Sequence, residues 1–77
     1  MGGNEELTIN IKLSALALNL RRQRMNKGMT IKEVAARCGI RPDRLLRYET
    51  DQEIPPFQTI DVLADFFGVD RNDLLGD

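Results

Sequence analysis

TIKEVAARCGIRPDRLLRYET, residues 30–50, is the stretch whose reading decides the fold. Thr30 and Glu33 stand three apart, the spacing at which each side chain reaches a free backbone N–H of the other in a first helical turn. Gly39 ends that helix after about eight residues, because glycine takes the left-handed conformation without steric cost. Pro42 fits the first position of a second helix, where its missing N–H leaves no bond unmade. Asp43 behind it favours the positive helix end, and the helix is expected to run to about Thr50. Val34, Cys38, Ile40, Leu45 and Tyr48 are apolar where such a pair must pack on a body, and Ala35 is small where the helices cross. Two short helices across a tight glycine turn have the size of a helix-turn-helix.

Upstream, Ser14 caps a first helix running to about Lys27, with Leu13, Leu16, Ala17 and Leu20 on one face and Gly28 as its stop. Downstream, Asp51 to Pro56 reads as a loop stiffened by two prolines. Ile60, Leu63, Ala64 and Phe67 then recur at helical spacing before Gly68, and Asp70 caps a last short helix carrying Leu74 and Leu75. The fold class is all-α, five short helices over residues 14–77. Residues 1–13 form an arm. In it Leu7, Ile9, Ile11 and Leu13 alternate with polar residues, a strand signal. A lone strand leaves backbone groups unpaired, so this one would pair with its two-fold mate in a homodimer. An irregular lead-in, or an early start to the first helix, is the alternative.

Seventy-seven residues suffice for one domain, and a domain this short buries roughly 60% of its unfolded surface. Hydrophobic residues at 42% and charged residues at 30% exclude a disordered composition. The sequence shows neither a membrane-length apolar run nor a secretory leader. Cys38 is the one cysteine, so no internal disulfide forms, and a reducing, cytoplasmic setting is expected. Without histidine, no protein metal site is expected. Nor is there a nucleophile beside a base or a phosphate-binding glycine loop, so no catalytic residue, cofactor or small-molecule ligand is expected. Net charge is only −1, but its distribution is steep. Nine of the eleven Lys and Arg lie within residues 20–47, against Glu33 and Asp43 alone. That window carries +7 and the remainder −8. One basic face on an acidic body is the pattern of a nucleic-acid binder.

Leu20-Arg21-Arg22, Arg24, Gly28-Met29-Thr30, Glu33-Val34-Ala35, Gly39-Ile40, Tyr48-Glu49, Pro55, and Leu63 to Val69 through Leu74-Leu75 together resemble the phage repressor and Cro family, the lambda-repressor-like regulators. The resemblance covers residues 14 to 76. It implies a five-helix domain that binds double-stranded DNA, usually as a dimer, with the third helix in the major groove. The family's base-reading positions fall on Pro42, Asp43, Arg44 and Arg47. Arginines at two of them suit guanine, whose O6 and N7 a guanidinium can grip together. Asp43 would accept from cytosine N4 or cap the helix, and Arg41 would reach phosphate or a base edge. Thr50 matches a phosphate-contact position of the family; the helix N-terminus at Thr30, which attracts anions, and Lys32 are further phosphate contacts expected from their chemistry. The family's phosphate-binding glutamine is Ile31 here, and its basic loop holds Asp51 and Glu53. The resemblance also pairs Arg24 with Glu49. Two functions follow as alternatives: a sequence-specific transcriptional repressor acting by operator occupancy, or a protein-interaction module of antirepressor or antitoxin type on the same fold.

Overall fold

Each helix begins where a side chain or a proline can serve its first turn. The computed structural model describes residues 14–76, and their regular structure is entirely helical. It comprises α1 Ala15–Asn26, α2 Ile31–Cys38, α3 Pro42–Glu49, α4 Phe57–Phe67 and α5 Arg71–Leu75. Ser14 Oγ accepts from the Ala17 N–H at 3.2 Å, which caps α1. At α2, Thr30 Oγ1 accepts from the Glu33 N–H at 3.1 Å, and Glu33 Oε1 accepts from the Thr30 N–H at 2.8 Å. Those bonds hold the Glu33 carboxyl below its usual range, the backbone N–H of Thr30 being the main cause. Pro42 opens α3, and Gly39 closes α2 with φ +69°, in the left-handed region where a side chain would be strained. The Asp73 carboxylate accepts from the Asp70 N–H at 2.9 Å at the start of α5.

The buried faces of all five helices meet in one core. Leu20 from α1, Val34 from α2, Leu45 from α3, Leu63 from α4 and Leu74 from α5 are each sealed from water. Ala35, Tyr48, Ile60, Ala64 and Phe67 complete the cluster. Leu74, which the sequence assigns only to the last helix, is thus a central core residue. Ile40 is half-buried rather than buried, because it sits in the α2–α3 turn at the rim of the core. Cys38 is also half-buried, and burial pushes its thiol up, so it acts as a small packing residue.

The arrangement matters most for α3. Its inner face, Leu45 and Tyr48, packs on the core, and the opposite face stays in water. Pro55 is buried in the loop that leaves α3. The expected strand of Leu7, Ile9, Ile11 and Leu13 lies outside the described residues. No described helix is long and apolar enough to cross a membrane.

Candidate nucleic-acid interface

Two arginine systems meet at α3, one inside that fixes its position and one outside on its solvent face. Inside, Arg24 of α1 donates Nε–H to Glu49 Oε2 at 2.8 Å and Nη2–H to Oε1 at 3.0 Å. Its Nη1–H goes to the Met29 carbonyl at 2.9 Å, so one guanidinium ties α1, the α1–α2 turn and α3 together. The Glu49 side chain keeps only 4% of its surface and Arg24 16%. The hydrogen bond to Glu49 holds Arg24 above its ordinary pKa against the opposing effect of burial. A planar fork on a carboxylate fixes orientation as well as distance, so α3 cannot rotate on the body without breaking two charge-assisted bonds.

Outside, Arg41, Arg44 and Arg47 share the surface of α3 with two carboxylates. Arg47 Nε–H donates to Glu53 Oε1 at 3.1 Å, and its Nη1–H donates to Asp43 Oδ2 at 3.2 Å. Arg44 Nε lies 3.6 Å from Glu53 Oε2, an ion pair longer than a hydrogen bond. Arg41, its side chain 78% exposed, stands 3.3 Å from Asp43. Partial loss of water raises the Asp43 carboxyl. Arg41 and Arg47 outweigh that, so it titrates below its usual range. The Glu53 hydrogen bond, and after it Asp43, hold Arg47 above its ordinary value.

Glu53 reaches these arginines because the chain folds back on the end of α3. The N–H groups of Gln52 and Glu53 both bond the Arg47 carbonyl, at 2.9 and 3.3 Å. Asp51 makes the turn with φ +63°, a conformation that Asp tolerates better than most residues. The sequence shows the acids of this loop but not their contact with Arg44 and Arg47, which depends on the loop's path. The Asp43–Arg47 pair, which the sequence reading of Asp43 as a cap or a cytosine contact passes over, spans four residues, one helical turn.

The remaining residues singled out by sequence lie around this face. The Thr30 N–H is taken by Glu33 and its hydroxyl oxygen accepts from the Glu33 N–H, so the donors left for an anion are the Thr30 O–H and the next backbone N–H groups, at Ile31 and Lys32. Lys32 is exposed on α2. The Thr50 hydroxyl donates to the Leu46 carbonyl at 2.7 Å and accepts from Gln52 Nε2 at 2.9 Å. Leu46, half exposed, flanks the arginine face on the side of Arg21 and Thr50.

A family described as a helix-turn-helix domain matches residues 15–75. The chain belongs to the helix-turn-helix domain family. A solved structure described as a hypothetical transcription factor, NHTF, from Neisseria is similar to this helix-turn-helix domain at 31% identity and TM-score 0.76. The similarity covers 80% of this chain and 71% of that one. Among curated proteins the chain has no match. Within the helix-turn-helix domain, α2, the Gly39 turn and α3 are the motif itself, and α1 clamps α3 through Arg24.

Proposed function

We propose that this domain is a cytoplasmic, non-enzymatic transcriptional regulator of the Cro and repressor type, which binds double-stranded DNA sequence-specifically and represses by occupying its operator. The observation that carries the reading is the two-sidedness of α3. Its inner face is locked to the body by Leu45, Tyr48 and the Arg24–Glu49 fork, while Arg41, Arg44 and Arg47 stand on the outer face. Such a helix can enter a major groove as a rigid element. Arg44 and Arg47 then face base edges, together with Asp43 and Arg41, and Lys32, Thr30 and Thr50 lie against phosphates. A homodimer would read half-sites about one helical turn, roughly 34 Å, apart. Residues 1–13 would pair as strands across the two-fold, and deleting residues 1–11 would then return the protein to a monomer.

Selection from a random duplex library, followed by salt titration of the enriched sequence, tests the reading. Enrichment of one sequence with a steep salt dependence is expected. Arg47→Ala should weaken the selected duplex between about fivefold and about a hundredfold and relax preference at one base pair. Lys32→Ala should weaken all sequences alike and flatten the salt slope by about one. A second reading, a protein-interaction module of antitoxin or antirepressor type, draws on the acids Asp43 and Glu53 beside the arginines of α3. It requires that no duplex is enriched.

A further inference from the structure

We propose that Glu53, with Asp43, is a positioning residue for base readout: the two carboxylates buttress Arg47 so that its unused N–H groups present one fixed edge to a guanine. The proposal rests on the DNA-binding reading above and assigns sequence discrimination to a loop residue outside the recognition helix.

Four observations combine. The buttress is preformed on both sides of the guanidinium, with Glu53 on Nε at 3.1 Å and Asp43 on Nη1 at 3.2 Å. Both supports are tied to α3 itself. Asp43 stands one turn before Arg47, and Glu53 is held by its own N–H to the Arg47 carbonyl. Five N–H donors belong to a guanidinium, so two bonds to carboxylates leave three, enough for the two-pronged grip on O6 and N7. Finally, the cluster sets three cations, Arg41, Arg44 and Arg47, against two anions.

That last balance distinguishes aim from attraction. A bare arginine on a helix surface is drawn to any phosphate, and phosphate contacts carry no sequence information. A guanidinium already facing two carboxylates has part of its charge answered, even though Arg41 and Arg44 share them. It gains less from another anion than a bare arginine does, and its remaining N–H groups still donate to neutral base acceptors. Holding a long side chain in the productive geometry before binding also removes the ordering cost from the binding step. The same carboxylates repel the backbone of every duplex equally. The cluster therefore lowers affinity for random DNA while protecting the contact that reads a base.

The test compares wild type, Glu53→Gln and Asp65→Asn as full chains, on the selected duplex, on its single-base variants and on random duplex. Glu53→Gln retains the backbone bond that shapes the loop. Asp65→Asn makes the same change in net charge from an exposed position on α4. Glu53→Gln should raise affinity for random duplex by about threefold and lower the ratio of selected to random binding by about three- to tenfold. The lost preference should fall at the same base pair that Arg47→Ala relaxes, and the double variant should lose no more there than Arg47→Ala alone. If Glu53→Gln and Asp65→Asn strengthen selected and random duplexes equally, Glu53 is only a charge and the proposal falls. If the ratio rises in Glu53→Gln, the carboxylate is a competitor for Arg47, and the proposal falls equally. Both outcomes leave wild-type DNA binding intact, whereas a wild type that enriches no duplex takes down the DNA reading and this one with it.

Discussion

The inner and outer faces of α3 hold the same chemistry, arginine on carboxylate, in opposite surroundings. Inside, Arg24 grips Glu49 with both partners largely dry. Outside, Arg47 meets Asp43 and Glu53 with its side chain still 37% exposed. In the dry pair, breaking one partner strands a charge that water reaches poorly. In the wet cluster, water and salt replace a lost partner cheaply. The first pair therefore decides whether α3 stays on the body, and the second decides how α3 presents its side chains. Under the proposed function, one helix separates stability from recognition by the depth at which its ion pairs lie.

The largest expected effect removes the inner face altogether. Leu45→Ala should cost about 2–5 kcal/mol in chemical denaturation, because the sealed core of a small domain cannot collapse around the void. An exposed-site cost, well under 1 kcal/mol, would show that α3 does not pack as described.

Next comes the dry pair. Arg24→Met should cost about 3 kcal/mol, toward the lower end for a buried pair because Arg24 keeps a sixth of its side chain in water. Adding Glu49→Leu should recover part of that loss, since no charge is then left unpaired. A double-mutant cycle with no coupling would make the inner pair equivalent to the outer one and dissolve the contrast.

The outer cluster should give the smallest changes in stability and should respond to acid. Asp43 has its carboxyl below the usual range in the folded chain. Its contribution is therefore full above the ordinary carboxylate pKa and is lost as pH falls through the lowered value. Asp43→Asn should leave Tm nearly unchanged near neutrality. The small difference from wild type should close on acidification and shrink on adding salt. A large, salt-independent loss at pH 7 would place Asp43 among the structural pairs instead.

Much of this contrast is legible in the sequence. Thr30 with Glu33, Gly39 and Pro42 mark both helices of the motif, because caps and breakers act over a few bonds and need no tertiary context. The spacing of Leu45 and Tyr48 marks the inward face, and the arginines three apart mark the outward one. Glu53 is a different case. Its position depends on Asp51 taking a positive φ and on two N–H groups returning to one carbonyl, a path that no local rule specifies. The same holds for the fork of Arg71 on Asp61, at 2.7 and 2.8 Å, with Arg71 also 4.7 Å from the centre of the Phe57 ring. These contacts join segments whose separation in sequence carries no period.

Where the chain comes round on itself has a mechanical consequence. Asn19 Nδ2 donates to the Leu74 carbonyl at 3.1 Å, and α5 ends in Gly76 with φ +95°, where an added Cβ would stand 2.6 Å from that of Ala15. The first and last turns of the domain are therefore side by side. A side chain at position 76 would therefore wedge those two turns apart, on top of the strain of the positive φ.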